Sequence, residues 1–388
     1  MGGKLRAGVI GLGILGSQHA EFMANHAQVD LVAVADIRGD TANEVAGRLR
    51  AESYTDYGRM LAEHALDLVV VATPDPLHKE PTLAALKAGV PTILQEKPLA
   101  TTLADAQEIH DEVEARKARL FVNYANRAAP LDIATRYVMQ QGLLGPVAYG
   151  ESRLDDNICV PTQMWGGRSR DWAAGSSTVH FLLSHVVDLL RFYFRPAKVT
   201  DVYAISQQQV LGYTPDVYDA FLTFDSGMRV RVKAEWIKHI DELVEFYMCF
   251  SGHKGTLIYN KRGGFGTEPG WRANLPKEID AEALLGHQEA LSTLGANMRA
   301  MFHRPEPMAG ALRAGAMGRV PALEYRGLGY GRPMALSDAI IAAILGDTLE
   351  PDGWEGLGPL PTHEDGLAQT RITDAIIRSA DCGEPVSL

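Results

Sequence analysis

The stretch Leu5-Arg6-Ala7-Gly8-Val9-Ile10-Gly11-Leu12-Gly13-Ile14-Leu15-Gly16 decides the reading of the fold. The apolar run Leu5 to Ile10 reads as a strand, and Gly16 to His26 as a helix. Between them the glycines follow G-x-G-x-x-G spacing. Such a triplet is a weak signal alone and a specific one between a strand and a helix. Gly11 permits the tight turn, Gly13 lets backbone approach a pyrophosphate, and Gly16 allows close helix–strand packing. The helix start adds unpaired N–H groups and the positive end of a dipole. Asp36 ends the next strand, Leu31 to Asp36, twenty residues past Gly16. A carboxylate there accepts from a ribose 2′-hydroxyl and repels a 2′-phosphate, which favours NAD over NADP. The expected cofactor contacts here are Gly11, Gly13, Leu15, Gly16 and Asp36, with Arg38 as a neighbouring charge able to soften the preference.

Outward from this motif the rhythm persists. Strands are expected at Val29 to Ala35, Leu66 to Ala72, Pro91 to Gln95 and Leu120 to Tyr124. Helices are expected at Asp40 to Ala51, Glu80 to Ala88 and Thr102 to Ala118. Continuous apolar strands separated by helices imply a parallel sheet covered on both faces, the doubly wound α/β class. Residues 1–125 are therefore expected to form a dinucleotide-binding Rossmann domain. Residues 126–388 are expected to form an α+β substrate and oligomerisation domain. Its strands, such as Ala148 to Leu154, Ala197 to Ile205 and Arg229 to Glu235, are rich in β-branched and aromatic residues, which suits one large, mostly antiparallel sheet. Residues 261–334 hold 12 Gly and 6 Pro and are expected to be an insertion of loops and short helices. Helices at Met334 to Leu345 and Glu364 to Ala380 close the chain.

The 388 residues are 46% apolar and 22% charged, enough to bury full cores without disulfide or metal staples. A formal net charge of −11 argues against nucleic acid and anionic lipid as partners. Cys159, Cys249 and Cys382 are far apart and form no C-x-x-C pair, and the histidines lack metal-ligand spacing, so no metal is expected. No segment has the length and apolarity of a membrane span, and Met1-Gly2-Gly3-Lys4 runs into a strand without an apolar leader. A cytoplasmic location is the expectation.

Thr73-Pro74-Asp75-Pro76-Leu77-His78 and Glu96-Lys97-Pro98 each follow the C-terminal end of an expected parallel strand, the edge where such sheets bind ligands. These two segments, Asn126-Arg127-Ala128-Ala129-Pro130, Gly142-Leu143-Leu144-Gly145, Trp172-Ala173-Ala174-Gly175, His185-Val186-Val187-Asp188 and Gly252-His253-Lys254-Gly255 follow one another as in a known family. The chain resembles the glucose–fructose oxidoreductase / inositol dehydrogenase (Gfo/Idh/MocA) family, outside roughly residues 261–334. The resemblance implies NAD(P) in the first domain and redox chemistry on a hydroxyl of a sugar or cyclitol. It implies cofactor contacts from Thr73, Pro74, His78, Glu96, Lys97 and Arg127. It also implies that Lys97 lies beside the nicotinamide and contacts the reacting oxygen. An ammonium there stabilises alkoxide character as hydride leaves. Family members often pair through the second-domain sheet, which implies a homodimer or homotetramer.

The family commonly carries Asp-x-x-x-His before a further Asp. Here, aligned on His185 and Asp188, the first Asp falls on Phe181. His185 is retained as the acid/base candidate, and Asp188, one helical turn on, is expected to orient it or reach substrate. His180 sits about 140° round an α-helix from residue 185, so it is expected on another wall of the pocket. Tyr124, Arg168, Arg170 and Trp172 complete the expected substrate set. The expected function is an NAD-dependent sugar or cyclitol oxidoreductase. The alternative is a redox-neutral NAD-dependent glycosidase that oxidises, eliminates, hydrates and reduces. The 8 Arg and 2 Lys among residues 261–334, against 7 acids, also leave an anionic glycoside open as substrate.

Overall fold

The computed structural model of the protein describes residues 3–263, 267–303, 319–329, 331–346 and 358–388. The N-terminal part alternates β1 (Leu5–Ile10), α1 (Ile14–Asn25), β2 (Val29–Ala35), α2 (Gly39–Leu49), β3 (Glu52–Tyr54), α3 (Tyr57–Glu63), β4 (Leu68–Val71), α4 (Lys79–Lys87), β5 (Thr92–Glu96), α5 (Leu103–Arg116) and β6 (Arg119–Asn123). The six strands form one parallel sheet in the order β3-β2-β1-β4-β5-β6. This is the strand order of a dinucleotide-binding fold, in which ligands sit beyond the carboxyl ends of the strands. All four residues of β4 are buried, as a central strand covered on both faces requires. The reading from sequence missed β3 and α3. At the sheet edge Glu52-Ser53-Tyr54 buries only Tyr54, so it has no apolar run to betray it.

The second part holds α6 (Pro130–Gln140), β7 (Val147–Asn157), α7 (Cys159–Thr162), α8 (Ser169–Gly175), α9 (Ser184–Phe194), β8 (Val199–Gln207), β9 (Val217–Phe224), β10 (Arg229–Lys238), β11 (Val244–Gly252), β12 (Thr256–Arg262), β13 (Gly270–Asn274), α10 (Ala281–Thr293), β14 (Arg299–His303) and β15 (Val320–Arg326). The chain closes with α11 (Ala335–Gly346), α12 (His363–Cys382) and β16 (Val386–Ser387). Ten strands form one sheet in the order β14-β15-β13-β12-β11-β7-β10-β9-β8-β16. The β7–β10 pair is parallel and the other neighbours are antiparallel. Period-two alternation places Val230, Val232, Ala234 and Trp236 of β10 in the core and leaves Arg231, Lys233 and Glu235 half-buried on the other face.

Two expectations need correcting. Among the described residues of 261–334, regular elements predominate over loops: β13, β14 and β15 extend the sheet at one end, and α10 lies between β13 and β14 in the chain. Their short strands, bounded by glycine and proline, hid the pattern. Second, the chain divides into two compact units, and the first is not confined to residues 1–125. It comprises Met1–Ala125, Pro333–Trp354 and Pro359–Asp374, so α11 and most of α12 pack with the parallel sheet. The second unit comprises Asn126–Arg332, Glu355–Gly358 and Ala375–Leu388. Among the described residues no helix is long and apolar enough to cross a membrane.

Candidate active site

In the first unit, the glycine turn is dictated by space. Gly11 has φ +88°, and a Cβ there would lie 2.7 Å from the backbone of Ala72. A Cβ on Gly16 would meet the Gly11 carbonyl oxygen at 1.8 Å, so any side chain would force α1 off β1. Around Gly13 nothing lies within 4 Å of a built Cβ, which leaves its backbone open to a ligand. Gly13 caps α1 without a side-chain acceptor, so the first helical N–H groups keep their anion-binding capacity. The Leu15 side chain beside them is exposed.

Asp36 fixes this turn as well as facing the expected ribose position. Its carboxylate accepts from the Leu12 N–H at 2.8 Å and from the Arg38 N–H and Nε at 2.9 and 3.1 Å. Burial pushes the Asp36 pKa up, but the Arg38 and Leu12 donors outweigh it and hold the group below its ordinary value. Arg38, expected as a neighbouring charge, is thus paired with Asp36.

The two strand-end motifs are tied together by His78. Its Nδ1 lies 2.7 Å from the Pro98 carbonyl and its Nε2 2.9 Å from that of Thr73. The ring is buried, which lowers its pKa, and both its nitrogens are engaged in bracing the loops after β4 and β5. Thr73 Oγ1 donates to the Leu77 carbonyl and closes the turn that starts at Pro74. Glu96 is likewise internal. Its Oε1 lies 2.8 Å from His19 Nε2 and accepts from Asn123 Nδ2 at 2.7 Å. Burial opposes its charge, yet the His19 and Asn123 contacts keep its pKa below the usual value. Glu96 was expected among the cofactor contacts. It anchors the end of β5 and so the start of the Lys97–Pro98 turn, where the peptide is cis and Lys97 is 8% exposed. Tyr124, expected at the substrate, is buried and donates to Gln369 Oε1 at 2.9 Å. It is a packing residue of the first unit.

In the second unit, His185 and Asp188 lie on α9, whose Val186, Val187, Leu189 and Leu190 are core residues. Asp188 was expected to orient His185, and its carboxylate is engaged by a different group. It forms a bidentate pair with Arg127, at 2.9 Å from Nε and 2.5 Å from Nη2, with both side chains buried. The Arg127 guanidinium also lies over the Phe192 ring, 5.3 Å from its centroid. Arg127, expected to touch cofactor, is therefore committed to the core pairing that docks the Ala125–Ala128 turn on α9. One partner of His185 is a residue the sequence reading missed. Asn126 Nδ2 donates to His185 Nδ1 at 3.2 Å, and Asn126 Oδ1 accepts from Lys261 Nζ at 2.6 Å. No local signal in the sequence links residues 126, 185 and 261.

The segment before α9 is a π-helical turn, Val179–Leu183, closed by a bond from the Ser184 N–H to the Val179 carbonyl. The α-helical angle expected between His180 and His185 does not apply across it, because each i→i+5 turn takes one more residue than an α-helical one. His180 Nδ1 contacts Ser177 Oγ at 3.0 Å. Phe181 lies within an aromatic cluster, with ring centroids 4.8 Å from Trp172, 6.0 Å from Trp165 and 6.3 Å from Trp236. Trp165 and Trp172 stack at 4.1 Å. Arg168 and Arg170 are exposed beside this cluster in sequence, and Arg170 lies over Tyr213 at 4.8 Å. In the former insertion Arg272 pairs with Glu324 at 3.0 Å. Arg304 and Arg313 lie outside the described residues.

Residues 5–124 match the family model described as "Oxidoreductase family, NAD-binding Rossmann fold". Residues 133–258 match the GFO/IDH/MocA C-terminal domain. An inositol 2-dehydrogenase of Acidothermus cellulolyticus is 33% identical over 227 residues, covering 56% of this chain and 62% of that protein. A levoglucosan dehydrogenase of Pseudarthrobacter phenanthrenivorans is 27% identical, covering 49% of this chain and 51% of that protein. The chain thus spans less than two thirds of the length of these curated relatives. Among solved structures, the WlbA dehydrogenase of Bordetella pertussis, in complex with NADH and UDP-GlcNAcA, superposes with a TM-score of 0.71 at 20% identity, covering 99% of each chain. A levoglucosan dehydrogenase in complex with NADH and levoglucosan gives a TM-score of 0.72, also at 20% identity and 99% of each chain. At that identity the likeness is one of fold.

Proposed function

This chain belongs to the GFO/IDH/MocA oxidoreductase family, with its NAD-binding Rossmann fold, and we propose that it transfers hydride between NAD(H) and a ring hydroxyl of a sugar or cyclitol. The supporting observation is the carboxyl edge of the parallel sheet. There the glycine turn, Asp36 and Lys97 all follow strand ends, and the loops are braced by His78 and Glu96. Gly11, Gly13, Leu15, Gly16 and Asp36 hold the cofactor, with Thr73 and Pro74 at the next strand end. The cofactor accepts or returns the hydride. Lys97 stabilises charge on the reacting oxygen. His185 is the second catalytic group, and Trp172, Arg168, Arg170 and His180 line the substrate. A screen of free and glycosylated sugars with NAD⁺, reading both NADH and released aglycone, tests this. Stoichiometric NADH from a free sugar or cyclitol supports it. Aglycone release without net NADH would replace it with the redox-neutral glycosidase.

We also propose that the second unit pairs with another copy of the chain. Tyr203, Phe221, Arg231, Glu151, Cys249 and Ile258 are successive partners across six strands and so share the outer sheet face. Tyr203, Phe221 and Ile258 are 44%, 41% and 42% exposed there, and Ile205 of β8 53%. Light scattering should give a dimer or tetramer, and Phe221→Glu should shift it toward monomer. A monomeric parent would overturn the assignment.

A further inference from the structure

A buried chain of polar groups leads to His185. Tyr193 Oη donates to Asp132 Oδ1 at 2.6 Å, and Asp132 Oδ2 pairs with Lys261 Nζ. Lys261 Nζ donates to Asn126 Oδ1 at 2.6 Å, and Asn126 Nδ2 donates to His185 Nδ1 at 3.2 Å. Each link constrains the next. An ammonium only donates, so the Asn126 atom that faces Lys261 must be the amide oxygen. The amide nitrogen is then the atom that faces His185, and the usual ambiguity of an Asn flip is removed.

We propose that Lys261 is a positioning residue for His185: by locking the Asn126 amide it makes His185 Nδ1 an acceptor and places the proton of the neutral ring on Nε2. The imidazolium, with N–H groups at both positions, would point Nδ1–H at the amide hydrogens of Asn126. His185 is therefore held neutral, as a hydrogen-bond donor through Nε2. In that state it donates to the reacting oxygen through Nε2–H, and the hydroxyl proton passes to the Lys97 amine as hydride passes to NAD⁺. A neutral histidine in an electrophilic role is chemically well precedented. The inference rests on the proposed catalytic role of His185, but the tautomer can be read without any turnover.

The charged and titratable groups around the chain are Asp132 on α6, Tyr193 and the Arg127–Asp188 pair at α9, and Arg262 and Tyr259 on β12. Lys261 also lies 5.2 Å from the Phe246 ring centroid. Burial holds the Lys261 pKa below its ordinary value and that of Asp132 above its own, and the Asp132 charge opposes the fall at Lys261. Asp132 is therefore the group that favours the ammonium form, and Asp132→Asn alone should weaken the lock.

The test is nitrogen NMR of the full chain selectively labelled with ¹⁵N-histidine, with His185 assigned by its loss in His185→Asn. The expected parent signal is an Nε2–H neutral ring. In Lys261→Met the signal should move to a mixture of tautomers, and in Lys261→Arg, which can still donate to Asn126, it should return. Because Lys261→Met strands Asp132, the double variant Asp132→Asn/Lys261→Met is measured as well. In either variant kcat should fall by about tenfold, with the KM for NAD unchanged. A parent ring with Nδ1–H or two N–H groups would overturn the proposal. So would a His185 signal unchanged in both variants. Full activity in His185→Ala would instead remove the catalytic reading and leave the tautomer result standing.

Discussion

The two units carry their candidate chemistry in different ways. In the first, the groups proposed to face the cofactor are largely backbone, in the glycine turn and the start of α1, while the buried side chains His78, Glu96, His19 and Asn123 brace the neighbouring strand ends. In the second, the candidate reacting group is itself a member of a buried network, because Asn126, Lys261 and Asp132 link in series to His185. A backbone site needs the right residue type at the right turn. A side-chain network needs partners drawn from several elements, and its chemistry changes when a distant partner changes.

The largest expected effects fall on the proposed reacting groups. Lys97→Ala and His185→Ala should each lower turnover by about 10²–10⁴-fold. NAD binding, measured by calorimetry, should be nearly intact. If either variant turned over within a few-fold of the parent, that residue would lose its catalytic place.

The next effect separates the buried charges of the two units. Arg127→Met leaves the Asp188 carboxylate buried without its bidentate partner, and should cost about 3–5 kcal/mol of stability. Glu96→Gln keeps an acceptor for His19 and Asn123 and should cost less, about 1–3 kcal/mol. The Glu96 loss should also depend on pH. Its folded-state pKa lies below its ordinary value, so its contribution is complete above the ordinary carboxylate range and disappears as pH falls through the folded value. Urea unfolding at neutral and acid pH should show the gap between parent and Glu96→Gln narrowing toward acid. A gap that widened would mean that Glu96 is buried as the neutral acid.

The contrast also explains what could be read in advance. Gly11 and Gly16 were legible because their roles follow from lacking a Cβ, a property of the residue alone. The parallel sheet was legible because β1, β2, β4, β5 and β6 are apolar runs. The roles of His78 and Glu96 were not, because a motif locates a residue at a strand end but does not say whether its side chain turns outward or into the core. Asp188 was expected to serve His185 on helical spacing. It pairs instead with Arg127, 61 residues away, and nothing local marks that choice. Lys261 is 135 residues from Asn126 and stands in a stretch that composition assigned to loops. The π-helical turn at Val179–Leu183 changes the angle between His180 and His185 from the one α-helical spacing predicts. The place of Phe181 makes sense only once Trp165, Trp172 and Trp236 are seen around it.

The smallest effect concerns cofactor choice, where the first unit does use a side chain. Asp36 has two competing tasks. It caps the glycine turn through Leu12 and it pairs with Arg38. A bound ribose 2′-hydroxyl would add one donor to a carboxylate that already accepts several, so the ribose contact replaces part of the Arg38 interaction and does not fill a vacant site. The preference for NAD over NADP then rests mainly on repulsion between Asp36 and a 2′-phosphate. Asp36→Ala removes that repulsion and releases Arg38, whose planar fork suits a phosphate. The gap between NAD and NADP should close by about tenfold, the scale of one charge-assisted hydrogen bond. Asp36→Ala/Arg38→Ala should close it less, because no cation remains to receive the phosphate. Calorimetric titration of both cofactors against the parent and the two variants measures this. Equal or tighter NADP binding by the parent would show that Asp36 is spent on holding the turn and has no part in selecting the cofactor.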